Sequence, residues 1–278
     1  MFNVCLETIN ISAPTGPRTA YADSAELIVT TPIIVAVSGL SSNTGKTTLA
    51  CELIQRLPGW EAIKLTRGHY RSCGKDPSGC CVSDLLADEP LIRSGREANY
   101  ERGKDTGRFW DAGATNVHWV IVGEEQVEAG VTGALSRVKS EGVIIEGNSF
   151  LDYLEADFAI MCARAGENKI KTSARRTLAR ADALFLSTID DSDRATAIES
   201  FEKWRTLLSV ELNTQGLQVF TRADISELIE HIRKVDSSRM KAFDEPSKIA
   251  ADSSAGRKPG DRQPNIFVSR EALQNRER

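Results

Sequence analysis

The stretch Val35 to Leu49, VAVSGLSSNTGKTTL, constrains this chain more than any other. The apolar run Ile33 to Val37 leads directly into Gly39, then Gly45, Lys46, Thr47 and Thr48. Leu49, Leu53, Ile54 and Leu57 follow at helical spacing until Pro58-Gly59 stops the pattern. This order predicts a strand, a phosphate-binding loop and a helix. In such a loop backbone N–H groups approach phosphate oxygens, the lysine reaches the terminal phosphates and a hydroxyl holds Mg²⁺. The helix that follows presents its N-terminal dipole to the same anion. Gly39, Asn43, Thr44, Gly45, Lys46, Thr47 and Thr48 are therefore the candidate nucleotide-binding residues, with Thr47 on the metal. The first glycine stands one residue early, since the usual motif wants glycine where Leu40 lies. A loop one residue longer, starting at Gly39, keeps the backbone freedom that glycine supplies; the alternative is that Leu40 replaces the first glycine.

Residues just beyond the carboxyl ends of strands line the ligand crevice of an open α/β sheet. Trp60 to Leu65 reads as the second strand, so Arg67 and Arg71 after it are candidate anion contacts, or else two solvated loop arginines. From Ser72 to Asp88 the composition is that of a long loop. His69, Cys73, Cys80 and Cys81 could hold zinc there, although adjacent Cys80 and Cys81 reach one metal only with a strained backbone; a reactive thiol pair and inert thiols are the alternatives. In Gly103 to Ala114, GKDTGRFWDAGA, Asp105 is placed to cap a helix carrying Arg108 and Trp110, and Gly113 to end it. Asn116 to Val122 reads as a strand and Glu124 to Val138 as a helix with Val127, Val131, Leu135 and Val138 on one face. His118, inside that strand, reads as a core or sheet-face histidine, because nothing nearby in sequence orients it for catalysis.

Gly142 to Gly147, GVIIEG, is an apolar strand ending in Glu146, the carboxylate that the far side of a phosphate-loop site requires near Mg²⁺ or the attacking group. Asp157 to Ala163 and Ala183 to Ser187 supply two more buried strands. The basic connection between them, through Arg164, Lys169, Lys171 and Arg175 to Arg180, either wraps phosphates or presents a solvated helix face; the second reading is preferred for most of these charges. Asp190 stands where guanine-binding proteins carry an aspartate that accepts from the guanine N1 and N2 donors, and it is the candidate base contact, or else a bare loop aspartate. A helix from Arg194 to Val210 and a strand Gln218 to Phe220 follow. Asp224 and Glu227 read as a capping pair ahead of an amphipathic helix with Ile225, Leu228, Ile229 and Ile232.

Three segments are expected: a flexible arm over residues 1–30, a nucleotide-binding domain over 31–235, and a disordered tail over 236–278, where Ser, Lys, Arg, Asp, Gly and Pro dominate. The fold class expected is α/β, a doubly wound and mainly parallel sheet in three α/β/α layers. A net charge of −4 gives no global basic field, so neither a nucleic acid nor a membrane is an expected partner. The N-terminus shows no charged segment followed by an apolar stretch and cleavage site, and a soluble, cytoplasmic protein is expected. Its six cysteines then read as thiols or ligands and not as a disulfide framework.

Four segments in one order, GKTTL (Gly45 to Leu49), AIKLTRGH (Ala62 to His69), GKDTGRFWDAGA (Gly103 to Ala114) and EGNSF (Glu146 to Phe150), carry a resemblance over about Ile33 to Val235. The chain resembles the molybdopterin-guanine-dinucleotide biosynthesis protein B family, phosphate-loop (P-loop) proteins that bind GTP and assist nucleotide attachment to the molybdenum cofactor. The resemblance implies that Lys46, Thr47 and Glu146 are the nucleotide and Mg²⁺ residues, with Lys46 and Glu146 as the catalytic pair of a slow P-loop NTPase, and that Asp105 and Arg108 line the site. It implies a cofactor-biosynthesis protein as partner. The longer loop resembles that of dethiobiotin synthetase and related amide-forming ligases. Three functions stay open: a GTP-binding adapter; an ATP-dependent small-molecule kinase or ligase that holds its substrate with Arg67, Arg71, Asp105 and Arg108; and a non-catalytic, metal-responsive nucleotide sensor using the cysteine loop. The oligomeric state is open too, a homodimer included.

Overall fold

The computed structural model describes residues 31–68, 82, 85–164, 170–187, 194–207 and 217–244. The chain divides into two compact units, Met1–Ile225 and Ser226–Arg278. In the first, the strands are β1 (Ile33–Gly39), β2 (Glu61–Arg67), β3 (Leu91–Ser94), β4 (Val117–Val122), β5 (Gly142–Glu146), β6 (Phe158–Ala163), β7 (Ala183–Leu186) and β8 (Gln218–Phe220). The helices are α1 (Lys46–Arg56), α2 (Arg96–Asn99), α3 (Asp105–Asp111), α4 (Val127–Leu135), α5 (Thr172–Thr177) and α6 (Arg194–Leu207). α7 (Ile225–Asp244) spans all that is described of the second unit.

The eight strands form one sheet in the order β3-β4-β2-β5-β1-β6-β7-β8. Every neighbouring pair is parallel except β3 with β4. β1, β5 and β6 read as nearly continuous apolar runs because both faces of a parallel sheet are covered. On one face Ala36, Ile63, Val120 and Ile145 pack with Val127, Val131 and Ala134 of α4 and with Phe150 and Leu151 of the short 3-10 turn Ser149–Asp152. Farther along the same face, Met161, Leu184 and Leu186 meet Ala174 of α5 and Phe201 of α6. Alternation along β1 turns Val35 and Val37 to the opposite face, where α1 packs on β1 and β5 and α3 packs beside it. α1 buries Leu49, Ala50, Leu53 and Ile54 there. Truncating any one of these larger side chains to alanine would cost about 2–5 kcal/mol. The result is a three-layer α/β/α architecture with β1 in mid-sheet.

Several elements differ from the sequence reading for definable reasons. β3 is too short, and half polar, to show a period; as an antiparallel edge strand it takes its place from β4. The helix expected over Glu124 to Val138 begins as a 3-10 turn, Glu124–Gln126, whose Gln126 side chain accepts from the Gly123 N–H at 2.8 Å. The capping pair of Asp224 is Thr221, not Glu227: Asp224 Oδ2 accepts from both the backbone N–H and the hydroxyl of Thr221, each at 2.9 Å. α7 runs past Val235 to Asp244. Asp105 does not cap α3 either. It is the first residue of the helix, Lys104 precedes it without a side-chain cap, and the Asp105 carboxylate is spent elsewhere. Among the described residues no helix is long and apolar enough to cross a membrane.

Candidate functional site

β1 ends at Gly39, and the chain needs a sharp loop before α1. A Cβ at Gly39 would collide with Thr44 Oγ1 and lie 3.0 Å from the Lys46 stem, so the loop closes over this residue because it is glycine. Leu40 does not stand in for the first glycine. It is buried in the core with Met161 and Leu184, and its N–H donates to the Cys162 carbonyl at 2.9 Å. Asn43 (φ 60°) and Gly45 (φ 83°) both take left-handed backbone and turn the chain into α1. Asn148 fixes the loop from outside, accepting the Gly39 N–H at 3.0 Å and donating to the Gly39 carbonyl at 2.8 Å.

The first turn of α1 carries Lys46, Thr47 and Thr48 to the carboxyl edge of the sheet. Lys46 Nζ rests on the Ser41 carbonyl at 3.1 Å, inside the loop. Thr47 Oγ1 donates to Glu146 Oε2 at 2.9 Å, across 99 residues of sequence. Thr48 Oγ1 accepts from Arg108 Nη2 at 3.1 Å. Lys64 of β2 enters the same cluster: its ammonium is 2.6 Å from Glu146 Oε1 and 2.5 Å from Asp105 Oδ2. Burial by itself would push Lys64 down, but Glu146 and Asp105 together hold it above the usual lysine value. For Asp105 burial pushes upward; Lys64 overcomes it, with Thr47 and Arg108 assisting, and the carboxyl sits below its ordinary value.

A cleft of about 1360 Å³ opens over these groups, from the loop across β2 and β4 to Arg93 and Trp119. Arg67, on the cleft wall, pairs with Glu124 at 3.0 Å. On the other side Arg164 donates to the Asn43 carbonyl at 3.3 Å, and its Nε is buried with no partner among the described residues. Lys171 also lines the cleft, and burial, then the positive charge of Lys46, Arg67 and Lys64, lowers its proton affinity. The basic connection read as a solvated face thus contributes Arg164 and Lys171 to the cleft.

The structure brings together Gly39, Asn43, Thr44, Gly45, Lys46, Thr47, Thr48, Arg67, Asp105, Arg108 and Glu146. Arg71, Asp190, His69, Cys73, Cys80 and Cys81 lie outside the described residues. Among the described residues no group of three or more His, Cys, Asp or Glu side chains could hold a metal ion. Two oxygen donors nevertheless suit a hard cation that also takes phosphate oxygens and water, namely the Thr47 hydroxyl and the Glu146 carboxylate. The Lys64 ammonium on Glu146 already shows that this carboxylate recruits positive charge. Lys64 and Asn148 were missed from sequence. Lys64 is a charged residue inside an otherwise buried strand, and that was the available signal.

No protein-family model matches this chain, and no curated protein does. Among solved structures it is similar to HypB from Helicobacter pylori in complex with nickel, at 14% identity and a TM-score of 0.41, covering 77% of this chain and 89% of that one. It is similar to an LAO/AO transport system kinase at 12% identity and a TM-score of 0.42, over 76% of this chain and 61% of that one. A hydrogenase maturation factor HypB from Archaeoglobus fulgidus gives 10% identity and a TM-score of 0.40, over 74% and 91%. The fold follows from the molecule itself: the strand order, the glycine loop after β1 and the helix it feeds make this a three-layer P-loop NTPase fold.

Proposed function

We propose that the cleft binds a nucleoside triphosphate with Mg²⁺, and that the protein serves as a slow or partner-stimulated GTPase adapter in attaching a nucleotide to the molybdenum cofactor. The observation that carries the nucleotide reading is the convergence of Lys46, Thr47 and Glu146 behind a loop that closes tightly over Gly39. Loop N–H groups and the start of α1 would receive the phosphate oxygens. Lys46 would leave the Ser41 carbonyl for the β- and γ-phosphates. Thr47 and Glu146 would hold Mg²⁺, which when bound neutralises phosphate charge. Asp105 and Arg108 line the cleft beside them, and Asp190 is the candidate contact for guanine. The molybdenum-cofactor role rests on the four-segment resemblance. The reading keeps the domain as residues 31–235, between an arm and a tail, in a cytoplasmic protein.

One observation favours a second reading, an ATP-dependent kinase or ligase. The cleft exceeds the roughly 300–1,000 Å³ of an ordinary small-molecule pocket, so a second substrate has room beside the triphosphate. Equilibrium binding of fluorescent GTP and ATP analogues, each with Mg²⁺, separates the two. A preference for GTP supports the adapter. A preference for ATP moves the assignment to the kinase or ligase, and binding of neither removes both.

A further inference from the structure

Lys64 occupies a place that needs explaining. Its ammonium lies between Asp105 and Glu146, and its side chain is only 17% exposed. Glu146 is buried, so both of its oxygens need partners; Oε1 takes the ammonium and Oε2 the Thr47 hydroxyl proton. These are the two groups proposed to hold Mg²⁺. A divalent ion arriving at them would meet the positive charge of Lys64 at close range, and the like charges repel. Asp105 and Glu146 carry two negative charges and Lys64 cancels one, so while the ammonium stays in place the three residues together offer the ion a net charge of only about −1. A triphosphate changes that balance. Its oxygens give the ion additional ligands and give Lys64 a new partner.

We propose that Lys64 is a resident counter-cation that makes divalent-metal binding conditional on a bound triphosphate. The proposal rests on the triphosphate reading of the cleft and adds its regulation. Metal and nucleotide then bind as a coupled pair, each raising the other's affinity by the same factor. Lys64 is a positioning residue in this scheme. It sets the charge that Glu146 presents, and a purely structural ion pair would not alter metal affinity.

The test uses Mn²⁺ as probe, with the free ion counted by electron paramagnetic resonance on the full chain. Without nucleotide, wild type and Lys64→Arg should bind Mn²⁺ weakly, and Lys64→Gln at least about tenfold more tightly. Lys64→Met, which keeps the packing of the stem, replaces the glutamine variant if that one does not fold. Adding Glu146→Gln to either neutral variant should abolish the gain, which places the ion on that carboxylate. With triphosphate present, wild type should take up Mn²⁺ as a ternary complex. Equal nucleotide-free affinity in wild type and the neutral variant would overturn the role of Lys64 while leaving the triphosphate reading intact. Failure of wild type to form the ternary complex would instead overturn the triphosphate reading itself.

Discussion

Two glutamates at opposite edges of one sheet are both buried, and they differ in who their partners are. Glu61 opens β2 at the amino edge. Its Oε1 accepts the backbone N–H groups of Lys139 and Ser140 at 2.8 and 3.0 Å, and its Oε2 meets His118 Nε2 at 2.7 Å. His118, wholly buried, meets the Ser94 hydroxyl through Nδ1 at 2.8 Å. Glu146 closes β5 at the carboxyl edge, and its partners are the tips of Lys64 and Thr47, which line an open cleft. Backbone amides and a core imidazole cannot leave without unfolding the chain, whereas a lysine and a hydroxyl can exchange partners. A buried carboxylate with fixed partners builds structure; one with exchangeable partners can work on a ligand.

The sharpest way to break that comparison is Glu61→Ala. It strands His118 and two backbone donors in the core, and it should cost about 3–5 kcal/mol in urea unfolding. A loss under about 1 kcal/mol would mean the amino edge is not the fixed end. Gly39→Ala acts at the other edge. Its new methyl must push Thr44 and the Lys46 stem aside, so overpacking should cost about 1–3 kcal/mol, and the change should fall on the loop and not on the far sheet, readable by hydrogen exchange. Asp224, in the turn after β8, is a control that touches neither glutamate. Burial pushes its carboxyl upward, but Thr221 and Arg194 outweigh burial and hold it below the ordinary aspartate value. A depressed carboxylate contributes stability above its unfolded pKa and loses it as pH falls through the folded value. Asp224→Ala should therefore be about 1 kcal/mol less stable than wild type at neutral pH, and the gap should close as the solution is acidified below about pH 4. The smallest effect concerns the two described cysteines. Burial pushes the Cys162 thiol up to about 12 and the Cys51 thiol up to about 11, so mass-mapped alkylation at pH 8 should leave both unmodified in the native chain.

Much of the carboxyl edge is legible in the sequence because its groups cluster in the chain or sit at a strand end. The run from Ile33 to Leu57 carries a strand, a glycine loop and a 3.6-residue period in one stretch, and Glu146 terminates an apolar run. What is illegible is assembled from distance. Lys64 meets Glu146 across 82 residues, and Asn148 meets Gly39 across 109. No sign in the sequence shows that His118 meets Glu61, 57 residues away, although the pair agrees with its reading as a core histidine. Asp105 read as a cap because aspartate before a helical period usually is one; the nearby ammonium of Lys64 outcompetes the backbone for it.

Titration calorimetry of wild type and Lys46→Ala with Mg²⁺-triphosphate tests the central claim most directly. Wild type should bind one equivalent. Lys46→Ala, with its circular dichroism unchanged, should bind at least about tenfold more weakly, since a charge-assisted contact to phosphate is gone. Equal affinity in the two proteins, or no binding by wild type to GTP or ATP, would contradict the account.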